Sequence, residues 1–397
     1  MSLPRLRRSL LPRIALLASL VAGAVTAAHA DEGPIIGVLI ASGSLDRRLE
    51  VGPGGMVIEY PGGSEQVVAG SYLLRLDGTH ARIADWRLPR TTPFRFRGLR
   101  SAVGITTADG GDIRSYDGWI EVPAPGAEGD WEVINRLPLE RYLLGVLPGE
   151  TPTSLFDPEA LKAQAVASRT YALFQVLARP GSRVHLRSDT RSQVFLGSGL
   201  VDEAARAAIE ATRGQVLTSD GRIFEAFFHS TCGGATRPVE ACFGGSPLDA
   251  LTGVTCEGCG HSSRATWEAR VSMETLGEVL APICRRHGIE LGAVRTIEPI
   301  DPSLGGHCAY VRVVHERGAF ELESESFRRA LLAHKVRCLS TSFVVTRSGE
   351  LMKFVGRGWG HGVGLCQYGA DGYARKGYGY RAILEYFYQR SRIEALW

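Results

Sequence analysis

The chain has 397 residues, 44% hydrophobic and 22% charged, a balance that excludes disordered, collagen-like and multi-span membrane proteins. Its formal charge of +3 comes from the first thirty residues, where Arg5, Arg7, Arg8 and Arg13 stand without an acid. Subtracting those four leaves −1, and the electrostatic footprint of a nucleic-acid binder goes with them.

Residues 1–30 read as an export signal: a basic start, an apolar run over 14–27, and Ala28-His29-Ala30 as a small-residue cleavage site before Asp31-Glu32. The alternative is an uncleaved anchor, but the run is shorter than the ~20 residues that span a bilayer. No later segment is long enough. The mature chain is therefore expected outside the cytoplasm, in the periplasm or cell envelope. That setting discounts enzymes that need ATP or a nicotinamide pool, and thiols there face oxidation.

From 33 to 131 short apolar runs at 35–40, 56–58, 72–76 and 119–122 alternate with Gly, Pro, Asp and Ser clusters, which predicts small antiparallel strands. Leu147-Pro148-Gly149-Glu150-Thr151-Pro152 reads as a turn. A long helix follows over 157–178: Asp157 caps it, Pro158 suits its first turn and Glu159 favours its dipole. Apolar residues cover most of its surface, so Gln164, Ser168 and Tyr171, spaced by four and three, form a polar stripe on a buried helix. Shorter helices are predicted at 202–212, 273–287, 325–333 and 380–388, with strands at 215–218, 223–229 and 310–315. There is no internal repeat. The pattern predicts an α+β fold in three parts: the signal at 1–30, a β-rich region at 31–113, and a helix-containing catalytic domain at 114–397 with the early strands packed around it.

Two loops carry unusual residues. His229-Ser230-Thr231-Cys232-Gly233-Gly234 follows an apolar run, and in 356–370 glycine occupies five of the nine positions from Gly356 to Gly364. The latter permits close backbone approach. It is not a phosphate loop, because no Gly-Lys-Ser/Thr follows and no GxGxxG string forms. Trp359, Gln367 and Tyr368 beside these glycines suit sugar faces and N-acetyl groups. No Gly-x-Ser-x-Gly elbow supports a serine hydrolase.

All eight cysteines lie in the mature chain. His229-x-x-Cys232 with Cys256-x-x-Cys259 has the paired spacing of one structural zinc, with Cys366 and His261 as substitute ligands. Disulfides among Cys232, Cys242, Cys256 and Cys259 are the competing reading for an exported protein. A zinc hydrolase would need an open metal position and an adjacent acid, and no HExxH motif occurs. No organic cofactor is expected.

Three further segments complete a set: 137–150, which runs Leu-Pro-Leu-Glu-Arg-Tyr-Leu-Leu-Gly-Val-Leu-Pro-Gly-Glu; 160–172; and 188–195. With the 229–234 and 356–370 loops, five ordered motifs resemble the SpoIID/LytB family, the stage II sporulation protein D type of peptidoglycan lytic transglycosylase, also labelled amidase enhancer. The resemblance runs from about residue 114 to the C-terminus and is weakest over 266–345, with Cys242 where an aromatic residue is expected. It implies that Glu150 is the single catalytic acid and base, cleaving the bond between N-acetylmuramic acid and N-acetylglucosamine to leave a 1,6-anhydro end. It also implies a glycan groove lined by Gln164, Ser168, Arg169, Tyr171, Gln193, Ser230, Trp359, His361, Gln367 and Tyr368. Peptidoglycan strands are then the partner. A non-catalytic module that binds glycan and stimulates a cell-wall amidase is the alternative.

Overall fold

The computed structural model describes residues 5–6, 31–106, 111–125, 129–199 and 202–397. The expected signal at 1–30 lies outside them, except for Arg5 and Leu6. The architecture is mixed α+β, as the alternating strand and helix patterns imply. Two compact units divide the described residues, one holding 31–225 and 393–397 and the other 5–6 and 226–392.

The first unit begins with two largely antiparallel sheets. In the larger, seven strands run in the order Leu186–Arg187, Ile35–Ser42, Glu132–Pro138, Trp119–Val122, Phe94–Gly98, Met56–Tyr60, Gly63–Val67. Strict alternation builds its core face: Phe94 and Phe96 are buried while Arg95 and Arg97 are exposed, and Ile120 and Val122 lie beside the two phenylalanines. The second sheet has six strands centred on Leu45–Val51 and Gly70–Leu76.

The chain then enters helix α1, Leu139–Glu150, which corrects the expected turn at 147–152. Leu139, Tyr142, Leu143, Val146 and Leu147 recur at helical spacing and are all buried. Pro148 sits in the last turn, where it removes the bond to Leu144 O and so weakens the helix near its end; the helix stops at Thr151, whose N–H donates to Leu147 O. Helix α2, Pro158–Leu177, begins as expected, with Asp157 accepting from Glu159 N at 2.9 Å. Helix α3 is Glu203–Ala211, capped by Asp202.

A buried ion pair ties these helices together. Arg169 on α2 donates through Nε and Nη2 to the two carboxylate oxygens of Glu140 on α1, at 2.9 and 2.8 Å. Glu140 Oε1 also accepts from Gly214 N and from Trp397 Nε1, both at 3.0 Å. Every buried charge here has partners, the condition under which such a pair is tolerated.

The second unit contains α4 (Val239–Phe243), α5 (Met273–Arg286), α6 (Ser324–Ala333), α7 (Gln367–Ala374) and α8 (Tyr380–Phe387). Its main core packs Leu276 and Leu280 of α5 and Phe327 of α6 with Val311, Val313, Phe320 and Phe354 from two sheets. The strand expected at 223–229 is split. Arg222–Ile223 pairs with Gln215–Ser219 in the first unit, whereas Phe228–His229 pairs in parallel with Leu365–Cys366 in the second. The chain leaves one unit for the other at 225, so no continuous ladder can form. The loop expected over 356–370 also ends early, because α7 begins at Gln367.

Among the described residues, no helix is long and apolar enough to cross a membrane.

Candidate functional site

Glu150 is the final residue of α1, and its setting depends on two glycines one turn apart. A Cβ on Gly149 would lie 2.5 Å from Val194 O, and one on Gly145 would lie 2.1 Å from Gly197 O. Only glycine lets the 194–197 segment lie this close to the helix. The approach brings Val194 N–H onto Glu150 Oε1 at 2.6 Å. Burial raises the Glu150 carboxyl from an ordinary 4.5 to about 7, with the Val194 N–H opposing part of the rise. The group is only partly covered, so it can hold a proton near neutrality and still meet a ligand.

Behind Glu150 lies a polar network. Tyr142 O–H donates to Gln193 Oε1 at 3.1 Å, Gln193 Nε2 donates to Ser168 O at 3.3 Å, and Gln164 Nε2 donates to Ser168 Oγ at 3.0 Å. Burial, then Tyr171 and Glu150, hold the Tyr142 phenol well above its ordinary value, so it remains a donor. Gln164, Ser168 and Gln193 are almost wholly enclosed, and Arg169 is committed to Glu140. The expectation that these side chains form a groove wall is corrected in this respect: α2, which carries Gln164, Ser168 and Arg169, is buried on nearly every side, Gln193 is enclosed as well, and their polar groups are used inside the unit. Gln164 Oε1 keeps no partner among the described residues. Sequence reasoning misses Tyr142 and Glu140 because it predicts no helix over 139–150, only the turn at 147–152.

Ser230, Trp359, His361, Gln367 and Tyr368 belong to the second unit. Thr231 and Trp359 exchange backbone hydrogen bonds at 3.0 and 2.7 Å, and Tyr368 N donates to Ser230 O at 3.1 Å, so the two unusual loops run side by side. Gly358 and Gly364 have φ of +77° and +71°, and a Cβ there would meet Thr231 O and Phe227 O at 2.4 and 2.0 Å. The glycines are thus required by backbone packing within this unit. Trp359 is exposed and lies under the Arg264 guanidinium, 5.5 Å from its ring centre. Gln367 is buried, with Nε2 unpartnered among the described residues.

The same two loops deliver cysteines to one point. The thiols of Cys232, Cys256, Cys259 and Cys366 lie within 4.8 Å of one another, all buried. Three of the four expected ligands converge, but the fourth position belongs to Cys366 and not to His229. The reason is local. The His229 ring is engaged with Val363, donating from Nδ1 to its carbonyl at 3.1 Å. Burial holds that imidazole down at about 4, hence neutral. The Cys232–Cys259 sulfur separation of 3.6 Å is far from a disulfide bond and close to the ~3.8 Å edge of a tetrahedral zinc–thiolate site with ~2.3 Å bonds. Cys232 N and Gly369 N donate to Cys366 Sγ at 3.2 and 3.3 Å. Hydrogen bonds from Cys232, Cys256 and Cys366 hold the Cys259 thiol far below its ordinary value. Soft donors, closed geometry and N–H groups aimed at sulfur fit a metal without an open position. Cys242 stands apart from this cluster, accepting from Arg237 Nη2 at 2.9 Å.

Residues 127–219 match the SpoIID family, described as stage II sporulation protein, and residues 254–364 match a domain of unknown function, DUF8618. An uncharacterized protein of Brachyspira hyodysenteriae is 31% identical over 64% of this chain and 66% of its own length. Stage II sporulation protein D of Bacillus amyloliquefaciens is 29% identical over 64% of this chain and 74% of its own. The amidase enhancer of Bacillus subtilis is 26% identical over 62% of this chain, and the match spans only 39% of that longer protein. Taken with the ordered motifs around Glu150 and the paired loops, these matches show that the chain belongs to the SpoIID/LytB family.

Proposed function

We propose that this protein is an exported peptidoglycan lytic transglycosylase acting in the periplasm or cell envelope, with Glu150 as its acid and base. The observation that carries the reading is a single partly covered carboxyl whose proton affinity is raised to about 7 by burial, while Val194 N–H steadies one of its oxygens. Protonated Glu150 gives its proton to the glycosidic oxygen between N-acetylmuramic acid and N-acetylglucosamine, and the C1–O bond breaks. As carboxylate it then accepts the proton of the sugar's own 6-hydroxyl while that oxygen closes on C1. Water is not consumed, so no second carboxylate is needed to activate it. Tyr142, Gln193, Ser168 and Gln164 hold the surroundings of the carboxyl. A group titrating near 7 populates both forms at neutral pH, which one residue serving both steps requires.

Cys232, Cys256, Cys259 and Cys366 would hold one structural zinc. It would join the 230–234 and 365–369 segments and leave no position for activating water.

Mass analysis of products from purified peptidoglycan tests the reading, and 1,6-anhydro ends are expected. The similarity to an amidase enhancer supports a second reading, a glycan-binding module that stimulates a cell-wall amidase. Glycan binding with no anhydro product from the purified protein would select it.

A further inference from the structure

The first unit carries a cleft of about 610 Å³ on the solvent side of the seven-stranded sheet, lined in part by Arg97, Arg100, Asp117, Trp119, Glu121 and Arg136. Its origin is the alternation of Phe94–Gly98: burying Phe94 and Phe96 sends Arg95 and Arg97 outward together. Both guanidiniums come to rest over Trp119 of the adjoining strand, 4.1 and 4.8 Å from its ring centre. Two cations sharing one indole repel each other, and the π face compensates only in part.

The pairing of these charges is uneven. Arg95 is neutralised by Glu59 at 2.6 Å, Arg136 by Glu121 at 3.5 Å and Arg141 by Glu32 at 3.1 Å. Among the described residues, Arg97 and Arg100 have no carboxylate partner, and both are exposed. Two open guanidinium forks beside an aromatic platform are suited to carboxylates, which they can grip through paired N–H donors. The cleft is not uniformly basic, however. The half-buried Asp117 and Glu121 also line it, which disfavours a densely charged phosphate polymer and favours a ligand that offers N–H donors between its acids.

We propose that this cleft binds an acidic peptide segment, with its carboxylates on Arg97 and Arg100 and its backbone or amino N–H groups toward Asp117. The inference is independent of the bond cleaved at Glu150, because it concerns peptide and not sugar.

The test titrates the full exported chain with acetyl-tetraglutamate at low salt, following calorimetric heat and tryptophan fluorescence. Saturable binding is expected, weakened about tenfold or more in Arg97→Ala/Arg100→Ala by loss of two charge-assisted contacts. It should be unchanged in Arg48→Ala, which lies on the other sheet. Both arginines of the double variant are exposed, so its melting temperature should match the parent and a lost signal cannot be blamed on unfolding. Absence of saturable binding, or equal binding by parent and double variant, overturns the proposal. So does displacement of tetraglutamate by a lower concentration of inorganic polyphosphate, which would assign the cleft to phosphate polymers. The probe carries no sugar, so none of these failures bears on Glu150.

Discussion

Replacing Glu150 by Gln keeps the volume and the oxygen that accepts from Val194 N, and removes only the titrating proton. Moving a carboxyl from 4.5 to about 7 corresponds to about 3 kcal/mol of preference for the protonated form in the folded state. The sign follows from linkage: a raised group contributes stability that is fully present below pH 4.5 and is lost as pH rises through 7. Glutamine cannot ionise, so the variant escapes that loss. We expect Glu150→Gln to match the parent's stability near pH 4 and to exceed it by about 1 to 3 kcal/mol near pH 8.5, read from denaturant unfolding of both proteins at each pH. In parallel, release of anhydro-ended glycan should fall by about 10² or more at pH 7. The parent's rate should decline above pH 7 as the acid form is depleted. A stability difference that is the same at pH 4 and pH 8.5 would show that the carboxyl is not raised by burial, and a folded variant that keeps most of its turnover would remove Glu150 from the chemistry.

Elemental analysis should find about one zinc per chain, and chelation should lower the melting temperature. Cys366→Ser should lose the metal while His229→Ala retains it, and the opposite pattern would restore the histidine as ligand. Arg169→Ala strands the Glu140 carboxylate in the core and should cost about 3 to 5 kcal/mol; a loss below about 1 kcal/mol in equilibrium unfolding would contradict the burial of that pair. Gly149→Ala places a Cβ 2.5 Å from Val194 O, so the 194–197 segment must shift away from Glu150. Turnover should drop more steeply than stability, and unchanged turnover would mean that the Val194 contact does not position the acid.

Sequence alone determined much of this protein because many of its signals are local. Asp157-Pro158-Glu159 started α2 where its cap and first turn require, and the apolar runs at 56–58 and 119–122 became the strands Met56–Tyr60 and Trp119–Val122. Gly149 and Glu150, although assigned to the wrong kind of element, were already singled out by type and order. What remained undecided depended on contacts between distant residues. Pro148 and Gly149 look like a turn until the 194–197 segment is placed against them; then the glycines become the reason the helix can be approached, and that approach encloses the Glu150 carboxyl. Spacing could bring Cys232, Cys256 and Cys259 into one candidate set, but the fourth sulfur is chosen by the parallel pairing of Phe228–His229 with Leu365–Cys366, across more than a hundred residues. Arg169 reads as a groove residue by its neighbours in sequence, and only the packing of α1 against α2 reveals Glu140 as its partner. Propensity and capping act over a few residues, whereas desolvation, ligand convergence and the pairing of buried charges are set by which surfaces exclude water from one another.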